Sequence, residues 1–204
     1  DSCYLYESNS GAFKTLFVGD SHVEQCAPRI LNLYQNGLTG DRGFIFFVKG
    51  GLLPIPGIES LGKPYNEYIP KMLELANRHD VDRIVIGANW IIYFLWASGA
   101  HQIEGHKLNA QAGVDLAFLA LQKMLSSFID SGKKVYVIQN IPINVNLDPK
   151  KLISRKINGD IHFDKLNLDI ESFFIKSGRK GQAIYNQGQI IAQISKISSC
   201  VGAE

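Results

Sequence analysis

The chain has 204 residues, enough for one domain with a core of ordinary size. Its 46% hydrophobic and 20% charged residues exclude a disordered or fibrous polymer, and a formal charge of +2 gives no ground for a nucleic-acid partner. Cys3, Cys26 and Cys200 form neither a CxxC pair nor a zinc-ligand spacing, which leaves three single disulfides or three thiols open.

In chain order, residues 1–14 have weak periodicity and carry Ser8, Asn9, Ser10 and Gly11, so they read as an entry segment or linker. The polar Asp1-Ser2 opening is not the pattern of a signal peptide. The stretch from Thr15 to Arg29 reads TLFVGDSHVEQCAPR, an apolar strand at about 14–18, a turn through Gly19, Asp20, Ser21 and His22, and then a helix over about 22–36. Pro28 predicts a kink or a late start in that helix, and Asn36-Gly37 closes it. Phe44 to Val48 is apolar throughout, as in a parallel strand covered on both faces, and ends in Lys49-Gly50-Gly51. Residues 52–65 hold three prolines and two glycines and predict a long surface loop.

A helix is expected over 66–78, with Pro70 tolerable in its first turn, and then a strand over 83–87 that runs into Ala88-Asn89-Trp90. The apolar run from Ile84 to Ala100 is slightly short for a membrane span and contains Gly87, Asn89 and Gly99. It reads as a buried strand plus an apolar loop. Residues 97–109 read as a polar loop carrying His101 and His106 at the surface. An amphipathic helix follows over 110–131, closed by Gly132, then a strand over 134–139. Residues 143–160 look like a basic loop, with helices plausible over 164–177 and 184–197. The lysines and arginines at Lys150, Lys151, Arg155, Lys156, Lys176, Arg179 and Lys180 read as solvated loop and helix faces. Strands alternate with helices, which predicts a mainly parallel sheet with helices on both faces, and no repeat, low-complexity tract or domain break is visible.

Ser21 therefore stands at the carboxyl end of a strand and the start of a helix. Open α/β sheets place their ligand crevice at such strand ends, and helix N-termini favour developing negative charge. That makes Ser21 a candidate nucleophile. Capping of the helix by Asp20 or Ser21 accounts for the same two residues equally well. The nucleophile elbow of α/β-hydrolases does not fit, because it needs glycine where Val23 stands. Acyl transfer through a serine needs oxyanion donors as well, and Gly50 and Asn89 follow the next two strands. Asp20 is not a suitable base, since an ordinary aspartate with a pKa near 4 is poorly matched to deprotonating serine. The aromatic run Trp90, Tyr93, Phe94 and Trp96 reads first as core and second as a platform for a sugar ring.

Gly19-Asp20-Ser21 after an apolar strand resembles the first block of the SGNH (GDSL-like) hydrolase superfamily. The GDSH form, the Gly87-Ala88-Asn89-Trp90 stretch and the opening Asp1-Ser2-Cys3-Tyr4-Leu5 look most like the SGNH domains fused to membrane acyltransferases that O-acylate bacterial surface sugars. The resemblance implies a three-layer α/β/α sandwich of flavodoxin-like type, with 1–14 as entry segment and 15–204 as one domain. It implies an oxyanion hole from the backbone N–H of Ser21, the backbone N–H of Gly50 and the side-chain amide of Asn89, with Gly51 the alternate for Gly50, and Asp20 ordering the turn. His22, beside Ser21, is expected to point elsewhere. The family's Asp-x-x-His block has no match in this sequence, and the base is expected beyond Glu204; another histidine in that role (His22, or His101, His106 and His162 in loops) and a domain that has lost catalysis are the alternatives.

The function implied is O-acyl transfer, foremost O-acetyl, onto an envelope carbohydrate such as lipopolysaccharide O-antigen, through a serine acyl-enzyme. The acyl donor would come from a membrane acyltransferase domain, the site would face an oxidising periplasm as part of an inner-membrane protein, and no metal or diffusible cofactor would be needed. A carbohydrate acetylesterase and a non-catalytic module binding a glycan or partner are the alternatives.

Overall fold

Four apolar runs of the sequence form the parallel core of a five-stranded sheet. In the computed structural model the described residues are 4–8, 13–60, 67–96, 100–139, 153–155, 161–163, 190 and 192–197. The elements in order are β1 (Tyr4–Glu7), β2 (Phe13–Gly19), α1 (Ser21–Glu24), α2 (Ala27–Gln35), β3 (Arg42–Val48), β4 (Ile58–Ser60), α3 (Tyr68–Ala76) and β5 (Val81–Gly87). A π-helical turn (Ile92–Trp96), β6 (His101–Ile103), β7 (His106–Lys107), α4 (Gln111–Asp130), β8 (Lys134–Ile138), β9 (Ile153–Arg155) and β10 (Ile161–Phe163) follow. The main sheet has the order β1-β3-β2-β5-β8, with β3, β2, β5 and β8 parallel and β1 antiparallel at the edge.

Strand residues point alternately to the two faces, and both faces are apolar, so each buries against helices. Leu16, Val18, Ile45, Phe47, Ile84 and Ile86 face one core with Met72 and Leu75 of α3 and Ala117, Phe118, Leu121 and Leu125 of α4. Ile190, Ile194 and Ile197 join that core. Phe17, Phe44, Phe46 and Val48 face the other, with Val23 of α1 and half-buried Ala27, Ile30, Leu31 and Tyr34 of α2. The fold class is the expected α/β sandwich. α4 has the length and hydropathy of a membrane span, but its apolar stripe is spent on the sheet.

Contacts divide the chain into two compact units, 1–140 with 190–204, and 141–189. In the second, β9 and β10 form an antiparallel pair. The basic clusters around Lys150 and Lys176 and the helix expected over 164–177 lie outside the described residues, while the helix expected over 184–197 is seen at 190 and 192–197.

Several local expectations are corrected. Tyr4–Glu7, within the stretch read as a linker, pairs with β3 in register Tyr4↔Val48 to Glu7↔Ile45. The single helix over 22–36 is two, because Pro28 has no N–H for a helix interior and instead sits in the first turn of α2. The surface loop over 52–65 is in part core: Leu52, Leu53 and Ile55 are fully buried, and Ile58–Ser60 pairs with β6. The apolar loop after β5 is helical, and the polar loop over 97–109 contains the β6–β7 hairpin.

The amino end of the parallel sheet is tied by charge. Arg78 donates to both Glu7 and Asp80, and Lys14 reaches the same two carboxylates from β2. Arg42 grips Asp82 with both terminal nitrogens. Hydrogen bonds from Arg78, reinforced by Lys14, hold both Glu7 and Asp80 below their ordinary carboxylate values. Folded-state values below the unfolded ones mean that this stabilisation is complete above about pH 4.5 and lost as the pH falls through the depressed values. Asp80→Asn is expected to cost about 1–2 kcal/mol at pH 7, discounted for partial exposure. Urea denaturation across a pH series should show the gap from wild type closing as the pH approaches the acid limit.

Candidate active site

The register of the sheet sets the site. Gly19 of β2 lies level with Val48 of β3 on one side and Gly87 of β5 on the other. Ser21, Gly50 and Asn89 each come two positions after these level residues. All three therefore follow the carboxyl ends of adjacent strands, with Ser21 coming after the central one. Ser21 is exposed at the first position of α1, and a side chain built at Gly50 would meet open space. Gly51, with φ +74°, makes the turn that follows, and Lys49 donates its N–H to the Gly19 carbonyl at 3.0 Å.

The two level glycines permit a close approach that no other residue allows. A Cβ on Gly19 would lie 1.9 Å from the Gly87 carbonyl oxygen and 2.6 Å from Val23 Cγ2; one on Gly87 would lie 2.9 Å from Ile138 Cβ. Gly19 also has φ +153°, which side chains disfavour. Val23, the residue that excludes an α/β-hydrolase elbow, is the fully buried wedge packed over both glycines. On the opposite face Tyr68 stacks on Phe47 at 4.8 Å between ring centres. Its hydroxyl accepts from the Gly19 N–H at 3.2 Å, and its proton faces the carbonyls of Gly19 and Phe47, also at 3.2 Å.

Asp20 is 2% exposed and is surrounded by donors. Its Oδ1 accepts the backbone N–H of His22 at 2.8 Å, which caps α1, and lies 3.5 Å from His22 Nδ1. Its Oδ2 accepts the backbone N–H of Asn89 at 2.9 Å and the hydroxyl of Tyr93 at 3.0 Å. A buried carboxylate supplied with three donors is held in place as a structural group. The capping reading thus applies to Asp20, while Ser21 is left at the surface. Since α1 is only four residues long, few peptide dipoles sum there, and the support for negative charge expected from a long helix shrinks to that of the local N–H groups.

Asn89 is buried and held from several sides. Besides its N–H to Asp20, its Oδ1 accepts from the Ile92 N–H at 3.3 Å, and its Nδ2 lies 3.2 Å from His22 Nε2. The neighbouring Trp90 donates Nε1–H to the Ile138 carbonyl at 2.9 Å, fixing the end of β5 to the end of β8.

The remaining sequence candidates fall elsewhere. His101, expected at the surface, is buried edge-on against Tyr93 at 5.0 Å, because β6 carries it inward; His106 is exposed on β7, and His162 lies on β10. Trp90, Tyr93 and Phe94 are buried core residues, not a platform for a sugar, and the Trp96 side chain lies outside the described residues. Cys26 is a free thiol, while Cys3 and Cys200 are outside the described residues. Among the described residues no group of three or more His, Cys, Asp and Glu could hold a metal ion. Tyr68 is not visible in the sequence as a site residue, and Tyr93 reads there as core or sugar platform and not as a partner of Asp20; the only signal for the latter role is a polar tip inside an apolar run.

Asp20→Asn keeps the shape but turns an NH2 toward groups that donate. It is expected to lose about 2–4 kcal/mol of stability, against about 1 kcal/mol for Tyr93→Phe, which leaves the other donors in place. Urea denaturation of the two variants checks the ranking.

No curated protein matches this sequence. The family model described as the SGNH domain, fused to AT3 domains, matches residues 1–189. A parallel sheet presenting a GDS turn, a glycine and an asparagine at successive strand ends is what that match covers, and the chain belongs to the SGNH domain family whose members are fused to AT3 acyltransferase domains.

Proposed function

We propose that this domain transfers an acyl group, foremost acetyl, to a hydroxyl of an envelope carbohydrate through an ester on Ser21. The observation that carries the reading is the common two-residue offset of Ser21, Gly50 and Asn89 from level positions on three adjacent strands. The Ser21 hydroxyl attacks the acyl carbonyl as a base takes its proton. The carbonyl oxygen becomes an oxyanion and is met by the N–H of Ser21, the N–H of Gly50 or Gly51, and the Asn89 amide. Collapse expels the donor's leaving group, which takes up a proton. A sugar hydroxyl then repeats the sequence on the acyl-serine, losing its proton to the base and freeing Ser21. Water in place of the sugar gives an esterase at the same site.

Asp20 already accepts three hydrogen bonds and His22 Nε2 faces Asn89, which argues against either as the base; we assign that role to a histidine of the family's Asp-x-x-His block, which these 204 residues do not contain. The donor is delivered by the membrane acyltransferase domain to which the family is fused, and the site works on the periplasmic face of the inner membrane. O-antigen is the acceptor we favour, and no cofactor is required.

In the full-length protein Ser21→Ala should lower acyl transfer by at least about a thousandfold while leaving stability unchanged. Mass spectrometry of the wild type during turnover should find the acyl mass on the peptide containing Ser21. Unaltered transfer by the variant would overturn the mechanism in favour of a binding module.

A further inference from the structure

We infer that His22 is a positioning residue, whose Nε2 fixes the direction of the Asn89 amide and whose ring is set for that task by Asp20. The inference rests on the acyl-transfer reading, in which Asn89 is an oxyanion donor. An asparagine amide turns freely about its last torsion and offers oxygen or nitrogen on either side. A donor of this kind stabilises charge only when held in place before the reaction.

The donor and acceptor roles here follow one from another. The Ile92 N–H donates to the Asn89 backbone carbonyl at 3.0 Å and, as the longer arm of a shared bond, reaches the Asn89 side chain at 3.3 Å; since it can only donate, the side-chain atom it faces is the oxygen. The Asn89 NH2 then faces His22 Nε2 at 3.2 Å, and that nitrogen must accept. In a neutral imidazole the proton therefore sits on Nδ1, whose nearest acidic neighbour is Asp20 Oδ1 at 3.5 Å. Asp20 in turn accepts the backbone N–H of Asn89, so the carboxylate fixes the main chain of the asparagine, while its other oxygen lies beside the ring nitrogen that carries the proton and favours that tautomer by its charge. One N–H of the amide goes to His22. The other is turned by the same bond, and the pairing sets its direction.

The ring is exposed enough, at 42%, for replacement to leave the fold intact. His22→Leu removes the acceptor, whereas the side-chain oxygen of His22→Gln reaches about as far as Nε2. Long-range proton–nitrogen NMR of the protein should show the His22 proton on Nδ1, and the Asn89 side-chain amide signals should shift in His22→Leu and return towards wild type in His22→Gln. In the full-length protein, with an aryl acetate as acyl donor, kcat should fall about tenfold to a hundredfold in His22→Leu with KM little changed, and recover in His22→Gln. A proton on Nε2, or a His22→Leu variant with wild-type kcat beside an inactive Ser21→Ala, would overturn the positioning role alone. A Ser21→Ala variant as active as wild type would instead overturn the acyl-transfer reading and this role with it, whatever the tautomer.

Discussion

The Asp20 carboxylate is the constraint on which the upper half of this structure depends. A charge removed from water is costly unless every lone pair finds a donor, and here the donors come from three segments: the start of α1, the residue two beyond β5, and the helical turn that carries Tyr93. Satisfying that one group therefore draws the ends of β2 and β5 together and aligns the turn after each. Asn89 is at the site edge because its backbone is a ligand of Asp20. The aspartate in the GDS turn is thus not a spare acid beside a serine but the knot that ties two strand ends.

The sheet has two poles with different chemistry. At the amino end, Glu7, Lys14, Arg78 and Asp80 join β1, β2 and the turn before β5 through long side chains with partial access to water. At the carboxyl end the linking groups are short, buried and mostly uncharged: the Tyr68 hydroxyl, the Asn89 amide, the Trp90 indole. Exposed ion pairs on long side chains tolerate adjustment, whereas hydrogen bonds made by groups packed in the core leave their atoms little room to move. Stability is distributed at one end and geometry is enforced at the other.

What could be read from the sequence was whatever is encoded locally. Apolar runs such as Phe44 to Val48 announce strands buried on both faces, and a glycine-aspartate-serine turn after such a run announces its own position. Tyr4–Glu7 escaped because its strand exists only by pairing with β3, and Ile58–Ser60 and His101–Ile103 escaped because each is defined by the other across 43 positions at Glu59 and Gln102. Leu52, Leu53 and Ile55 sit among turn-forming glycines and prolines, so their burial is a tertiary outcome that local composition hides. Tyr68 and Tyr93 look like filler for the same reason: their rings are ordinary core, and what distinguishes them is where the hydroxyl lands.

The facing glycines at 19 and 87, with Val23 wedged over them, also bear on how the sequence can change. Neither glycine has room for a methyl group while the other strand and the wedge stay in place. Groups that share one space do not respond independently to substitution. A larger residue at 19 meets the main-chain oxygen of Gly87, which no side-chain change at 87 removes, and one at 87 meets Ile138 before Val23, so a change at either glycine calls for movement of the strands themselves and not for a matching substitution alone.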